Sequence, residues 1–160
     1  MSRTRLVTAF VLMALLALFA VGCAGSQPAE DTTATQPVTE APPALEGTSW
    51  NCIEFKVNDA PITVPADAPI TADFSTDGKL SGSSGVNTYN TTYETDGGGI
   101  TISAEIATTM MAGPEDAMMR ETDYLTVLPT AVSYQIDDKN GQLVLFGPAD
   151  NTIARYTPVD

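Results

Sequence analysis

Histidine is absent from the 160 residues of this sequence, and its absence excludes the commonest catalytic arrangements. Without an imidazole there can be no Ser-His-Asp or Cys-His arrangement, no histidine-ligated zinc and no histidine general base. The phosphate-binding patterns GxxxxGK(S/T) and GxGxxG are missing as well. A pair of catalytic carboxylates of the glycosidase type remains possible, but with 20 acidic residues such pairs arise by chance and are weak evidence for an enzyme. The sequence therefore predicts a protein that is not an enzyme, with no catalytic residue, no metal and no cofactor.

Basic residues are scarce: there are 7, against 20 acidic ones, and the formal net charge is −13. Arg3 and Arg5 lie in the first 22 residues, which contain no acidic residue. The rest of the chain holds 5 basic and 20 acidic residues and so carries −15. A face that binds nucleic acid needs clustered lysine and arginine. We therefore expect no nucleic-acid partner; the charge favours solubility or, alternatively, a cationic partner.

The sequence has one long apolar run, at residues 6–21 (LVTAFVLMALLALFAV). Its 16 residues fall short of the roughly 20 that a membrane-spanning helix needs, but they suit the core of a signal peptide. The run ends in AVGC, which resembles the bacterial lipoprotein signal, except that Ala20 stands where a leucine is usual. We expect residues 1–22 to be removed and Cys23 to carry diacylglycerol and palmitate. The alternative is an ordinary secretory signal or an uncleaved anchor, with Cys23 incidental.

Residues 23–44 are Cys23 and a run rich in Pro, Thr, Ala and Gln. This composition buries too little to offset the entropy of ordering, so we expect a disordered tether. The lipid on Cys23 would attach the protein to a membrane on its extracytoplasmic side, in the cell envelope. Cys52 is then the only thiol left, and no disulfide can form within the mature chain. Because Cys52 stands near Trp50 in a strand-like stretch, we expect it to be buried as a small apolar side chain.

From residue 45 onward, short runs of alternating apolar and polar residues are separated by turn residues. This pattern is typical of antiparallel strands joined by hairpins. We predict about seven or eight short strands, at 48–57, 70–75, 79–83, 86–95, 100–103, 131–136, 143–146 and 152–157.

Residues 114–128 (PEDAMMRETDYLTVL) break the alternation and predict one helix. Pro114 suits the first helical position, and the acids that follow suit the positive end of the helix dipole. Pro129 ends the helix. The helix has one broad face that must be buried, formed by Ala117, Met118, Tyr124, Leu125 and Leu128. We predict an α+β, β-rich fold, in which a curved, barrel-like antiparallel sheet packs on this helix.

Two clusters suggest metal binding, but a structural role explains each of them better. At residues 137–141 (DDKNG) the EF-hand calcium pattern fails because Ile136 stands where an acid is needed. The Asn-Gly pair there predicts a hairpin turn instead. The other cluster consists of four methionines, whose thioether groups can bind soft metals. The sequence has no histidine or second free cysteine to assist them, so we expect these methionines to fill the core. They are Met110, Met111, Met118 and Met119.

Three motifs in order resemble the META domain of the HslJ-like proteins, over residues 45–158. Residues 45–50 (LEGTSW) resemble the L-x-G-T-x-W opening of that family. Gly82 with residues 85–93 (GVNTYNTTY) resembles G-x-x-G-C-N-x-Y-x-G-x-Y, and residues 107–115 (ATTMMAGPE) resemble A-T-x-M-A-C-P. The residues that carry the likeness are Gly47, Trp50, Gly82, Gly85, Asn87, Tyr93 and Thr108.

The resemblance implies a barrel-like sheet on one helix, in an exported or membrane-attached protein linked to stress, without established enzymatic chemistry. Many relatives have cysteines where this chain has Val86 and Gly113, and the loss of both together implies that the pair forms a disulfide in those relatives. Such a bridge would contribute about 3 kcal/mol. We expect Val86 to replace it by packing. Thr91 stands where the family has a glycine, so it is an open question whether the chain bends tightly at this position.

The candidates for ligand contact are Asn87, Tyr89 and Tyr93, although Asn87 more simply holds the backbone at a strand kink. The first functional hypothesis is a non-enzymatic, lipid-anchored envelope domain, monomeric, that protects against stress or binds a protein or ligand. The alternative is a proteinaceous inhibitor or small-ligand carrier that uses the sheet face or the mouth of the barrel. A filled barrel interior would count against the carrier.

Overall fold

The computed structural model describes residues 43–159. The predictions for the signal peptide (1–22), for Cys23 and for nearly all of the tether (23–44) lie outside the described residues. The described part forms ten strands and one α-helix. In chain order these are β1 (Thr48–Val57), β2 (Ala60–Thr63), β3 (Ile70–Phe74), β4 (Lys79–Ser83), β5 (Thr88–Asp96), β6 (Gly99–Ile102), β7 (Ala107–Thr108), α1 (Glu115–Val127), β8 (Ser133–Ile136), β9 (Leu143–Phe146) and β10 (Thr152–Pro158).

Eight of the strands form a closed antiparallel barrel, in the order β1-β3-β4-β5-β6-β8-β9-β10. The barrel closes because β10 pairs with β1, with Trp50 opposite Pro158 and Phe55 opposite Ala154. Two short strands lie outside this ring: β2 pairs with β1, and β7 pairs with β5. The predicted fold class, a curved antiparallel sheet of seven or eight strands with one helix, is confirmed.

Alternation along each strand decides which side chains enter the barrel. In β5, Tyr89, Thr91 and Tyr93 are buried, while the residues between them are exposed. In β1 the buried residues Cys52 and Phe55 are three apart, which strict alternation would not allow. A β-bulge between Cys52 and Glu54, in the pairing with β10, shifts the register and returns Phe55 to the interior.

Aromatic side chains fill the interior. Trp50 is 4% exposed. The Phe55 and Tyr124 rings meet edge to face at 5.6 Å, and the Tyr89 and Tyr124 rings do so at 5.9 Å. The Tyr124 hydroxyl lies 3.2 Å from the hydroxyls of both Tyr89 and Tyr156. Burial raises the pKa of these three phenols, so they stay protonated and act as paired hydrogen-bonding groups inside the core.

Helix α1 packs against the barrel through residues spaced by three and four. Ala117, Glu121 and Tyr124 are its buried residues, and Leu128 continues the same line in a following 3-10 turn. The prediction placed the helix at 114–128. In the structure Pro114 is the N-cap, and Pro129 lies within the 3-10 turn, so the chain turns further before it leaves the helix.

The structure corrects two predictions. The strand predicted at 86–95 begins at Thr88, because Asn87 leaves the strand path to bond the helix. The prediction that the methionines fill the core is wrong for three of the four: Met110 is 98% exposed, Met111 55% and Met119 58%. Met110 and Met111 lie in the loop before α1. Met119 is two residues, or about 200°, round the helix from the buried Ala117.

Candidate functional site

Asn87 connects three segments of the chain at one end of the barrel. Its side-chain Nδ2 donates to Glu121 Oε1 on α1 at 2.7 Å. Its Oδ1 accepts hydrogen bonds from the Met111 backbone N–H at 2.7 Å and from the Thr109 hydroxyl at 2.8 Å. Asn87 is 3% exposed. Its amide therefore ties the turn between β4 and β5 to both the helix and the loop that precedes it.

Glu121 is the other centre of this network and is 7% exposed. Its Oε2 accepts from the Ser84 hydroxyl at 2.6 Å and from the Asn87 backbone N–H at 2.8 Å. Burial by itself raises the pKa of a carboxyl group, but the hydrogen bonds from Ser84 and Asn87 outweigh it, and the pKa of Glu121 is lowered. The carboxylate is thus held ionised and occupied by the protein's own donors. We call Ser84, Asn87 and Glu121 the buried polar cluster.

A groove of about 660 Å³ lies on the outer side of this cluster. Four segments line it and form its walls: the end of β2 with the residues after it, the β4–β5 turn, the loop before α1, and the first turns of the helix. The lining residues are Thr63, Pro65, Asp67, Ala68, Gly85, Val86, Met111, Ala112, Gly113, Pro114, Asp116, Ala117 and Arg120. We call this surface the helix-end groove.

Two walls of the groove meet at Val86 and Gly113. A Cβ atom built on Gly113 would lie 3.4 Å from Val86 Cβ and 2.8 Å from each of its two methyl carbons. The Val86 side chain therefore occupies the space that a side chain at position 113 would need. The two positions at which the family resemblance implies a disulfide are therefore adjacent here, with the Val86 side chain packed against Gly113.

Arg120 is a basic residue in the helix-end groove. Its Nε atom is buried and has no hydrogen-bond partner, and it is the one buried side-chain nitrogen or oxygen in residues 43–159 found in that state. The salt bridge found within this part of the chain joins Lys79 to Asp77 and leaves Arg120 out. Within these residues the guanidinium therefore makes no ion pair, and it borders an open groove.

The ligand candidates from the sequence lie apart from the groove or below it. Tyr89 and Tyr93 are 2% and 4% exposed and belong to the core. Their hydroxyls donate to the carbonyls of Thr71 and Ser75, at 2.9 and 2.8 Å. Neither tyrosine lines the groove. Asn87 lies beneath it, with its amide fully engaged by protein partners.

The motif residues of the sequence have mostly backbone or packing roles. Gly82 lies where a Cβ would come within 2.2 Å of the Thr71 carbonyl oxygen, so only glycine fits between β4 and β3. Gly47 and Gly85 have φ of +78° and +108°. Trp50 packs inside the barrel, and Thr108 is exposed in β7, where it pairs with Tyr89.

Sequence reasoning missed Glu121 and Arg120. Glu121 stands in the series Ala117, Glu121, Tyr124 and Leu128, whose spacing of four, three and four marks one helical face. An acid in that series had to be buried and therefore paired. Arg120 could have been noticed because it is the only basic residue between Lys79 and Lys139 in an otherwise acidic sequence.

Cys52 is 5% exposed and makes no disulfide, as expected for a buried small side chain. Burial raises the pKa of its thiol to about 12, so the thiol stays protonated near neutral pH. Within residues 43–159, no three acidic or cysteine side chains are grouped closely enough to hold a metal ion. The same part of the chain contains no helix of the length and apolar character that crossing a membrane requires.

A family model and two solved structures are similar to this chain. The family model of the META domain matches residues 43–159. The NMR structure of a protein from Burkholderia xenovorans is similar, with a TM-score of 0.61 and 26% sequence identity, over 72% of this chain and 83% of that chain. A crystal structure of a DUF4847 family protein from Bacteroides vulgatus has a TM-score of 0.46 and 18% identity, over 70% of this chain and 92% of that chain. No curated protein matches the chain.

Proposed function

The chain belongs to the META domain family, and from this premise we propose that it is a non-enzymatic, lipid-anchored binding domain of the cell envelope. Its binding surface is the helix-end groove, and its biological setting is protection of the envelope under stress, as the family resemblance implies. The observation that carries the binding role is the groove itself, where four segments of the chain converge around Arg120, which makes no salt bridge within the described residues.

The support for lipid anchoring is the sequence of residues 1–23. Arg3 and Arg5, a 16-residue apolar core and AVGC follow one another in the order of a lipoprotein signal. Residues 24–44 then supply a spacer of low hydrophobicity. A flexible spacer of that length holds a domain on the order of 25 Å from its anchor.

The support for a non-enzymatic role is the state of the groups that could react. The Cys52 thiol is buried and protonated, so it is a poor nucleophile. The Glu121 carboxylate is ionised, but it accepts three hydrogen bonds from Ser84 and Asn87. A general base needs a free lone pair directed at a substrate, and Glu121 directs its oxygens at protein donors.

The interior of the barrel gives no support to the alternative of a carrier that encloses its ligand. Tyr89, Tyr124 and Tyr156 are each at most 2% exposed, and their hydroxyls bond one another across the core. A small ligand or a protein segment would instead have to bind at the outer groove. The volume of about 660 Å³ is within the range of about 300–1,000 Å³ that is usual for small-molecule sites.

Anchoring is tested by mass spectrometry of the mature protein from cells. We expect an N-terminal Cys23 that carries a diacylglyceryl group and a further acyl chain. The matched variant Cys23→Ser should lose the lipid and leave the membrane fraction, while its folded domain keeps the same thermal midpoint. An unmodified Cys23 in the membrane-bound wild type would refute the anchor.

The binding surface is tested by photo-crosslinking in living cells. A photoreactive phenylalanine analogue is placed at Ala112, an exposed residue of the groove. The control places it at Lys139, in the exposed turn between β8 and β9. We expect discrete adducts at 112 that are missing at 139. Identical adduct patterns at the two positions would mean that the groove is not a preferred contact surface.

A further inference from the structure

The charge distribution of the helix-end groove is unusual for so acidic a chain. After the first 22 residues the protein has 5 basic residues, and one of them, Arg120, lies in the groove. A guanidinium has five N–H donors arranged in a plane, and that plane matches a carboxylate. Arg120 lines the groove and makes no salt bridge within residues 43–159, so its guanidinium is available to an anion that enters the groove.

Acidic groups line the same groove. Asp67 follows β2 and Asp116 belongs to the first turn of α1, and both are exposed. Neither makes a salt bridge in the described part of the chain. The groove therefore presents one unpaired cation and two unpaired anions to anything that enters it. A ligand that carried only negative charge would be attracted by Arg120 and repelled by both aspartates.

We infer that the helix-end groove binds a small zwitterion, namely an amino acid or short peptide with a free carboxylate and a free ammonium group. The carboxylate pairs with the Arg120 guanidinium, and the ammonium group is held by Asp67 and Asp116. This inference rests on the proposed function, because it assigns a ligand class to the binding surface named there.

The apolar part of the lining fits a peptide-like ligand. Val86 and Ala112 both line the groove, so apolar side chains lie beside its charged groups and can contact a short aliphatic side chain. Met111, 55% exposed, is unbranched and can adapt to side chains of different shape. Charged ends with a small apolar middle are the features of a short peptide.

The walls that carry these groups are fixed from below. The Asn87 amide bonds the Met111 backbone, and the Glu121 carboxylate bonds the backbone and side chain of Asn87. Glu121 directly follows Arg120 on the helix, so the buried polar cluster sets the position of the arginine relative to the facing loop. A site whose walls are held in this way loses little entropy when a ligand binds.

Calorimetry on the full chain, purified in detergent, tests the inference with three probes. They are L-alanyl-L-alanine, its N-acetyl derivative and its C-terminal amide, which differ in the charges at their ends. We expect the free dipeptide to bind, and each capped form to bind about tenfold more weakly or worse, because each loses one charged contact.

Variants then locate the site. Arg120→Gln should weaken dipeptide binding about 10- to 100-fold, since it removes a charged hydrogen-bonding partner. Arg155→Gln, on β10 and outside the groove lining, is the matched control and should leave binding unchanged. The double variant Asp67→Asn with Asp116→Asn should weaken binding of the dipeptide but strengthen that of its N-acetyl form. A merely structural change would move both probes in the same direction. Ala112→Trp fills the groove from an exposed loop and should block all probes.

The inference is overturned if the free dipeptide does not bind at millimolar concentrations, or if Arg120→Gln leaves its affinity unchanged. It is also overturned if the N-acetyl form binds as tightly as the free dipeptide. These failures are separable from failure of the proposed function: adducts at position 112 that are missing at 139 would keep the groove as a binding surface while removing the zwitterion as its ligand class.

Discussion

A disulfide between positions 86 and 113 should form without rearrangement of the backbone. The Cβ of residue 113 would lie 3.4 Å from that of residue 86, close to the range of about 3.5–4.5 Å found in disulfides. The bridge would close a loop of about 27 residues, and the lost entropy of the unfolded chain corresponds to about 3 kcal/mol. We therefore expect Val86→Cys with Gly113→Cys, when oxidised, to be more stable than its reduced form by nearly that amount.

The assay is thermal unfolding of the double variant with and without reductant, beside the wild type. The wild type should show no effect of reductant, since Cys52 is a buried free thiol in the described domain. The variant should lose roughly 10 °C or more of thermal midpoint when reduced. A double variant that stays reduced in air, or gains no stability on oxidation, would refute the contact between the two walls of the groove.

The contact between Val86 and Gly113 also predicts an effect of packing alone, without a disulfide. Gly113→Ala would place its methyl 2.8 Å from both Val86 methyl carbons, and should destabilise the wild type by about 1–2 kcal/mol. In a chain that already carries Val86→Ala, the same change should cost much less. A double-mutant cycle with a coupling near zero would show that the side chains do not compete for this space.

Four further predictions concern stability. The pKa of Glu121 is lowered on folding, so the ionised carboxylate stabilises the fold. This contribution is fully present above the unfolded pKa of about 4.3 and is lost as the pH falls through the lower folded pKa. Unfolding measured at a series of pH values should therefore show that Glu121→Gln loses less stability on acidification than the wild type. Glu121→Ala, which strands the donors of Ser84 and Asn87, should cost about 3 kcal/mol in urea unfolding at neutral pH. Ala149 has φ of +62°, so Ala149→Gly should raise the free energy of unfolding by about 0.5–1 kcal/mol, and a loss would mean that this turn is unstrained. Trp50→Ala should cost about 3–5 kcal/mol, because the indole is buried in the barrel; a near-neutral melt would contradict that placement.

The strands could be predicted from the sequence wherever one face of the strand is buried and the other is exposed to solvent. In β5, and in β1 as far as its bulge, that condition leaves a period of two in the sequence, and β1, β4 and β9 were predicted with the bounds the structure shows. The two strands missed, β2 and β7, pair with one neighbour each and bury none of their residues. With no buried face there is no alternation to read.

The candidate site was less predictable because it depends on contacts between distant segments. Asn87 was recognisable as a motif residue, but its partner Glu121 lies 34 positions away, on an element whose orientation no local pattern gives. Val86 was assigned to a strand because its neighbours alternate. In the structure the chain first turns, so that Ser84 and Asn87 can reach the helix. The methionines were assigned to the core by residue type, while their place in a loop and on the outer helix face decided otherwise.

The pairing of β1 with β10, which closes the barrel, determines when the domain can fold. Its first and last strands are neighbours, with Trp50 opposite Pro158 and the Val159 N–H donating to the Ser49 carbonyl at 3.0 Å. No fragment that lacks the final strand can complete the ring, however much of the chain has already emerged. Contacts between the two ends of a chain also carry the largest loop-closure cost, and folds rich in them form slowly. The barrel therefore stays open until β10 is available to pair with β1, and the domain reaches its full stability only when that pairing forms.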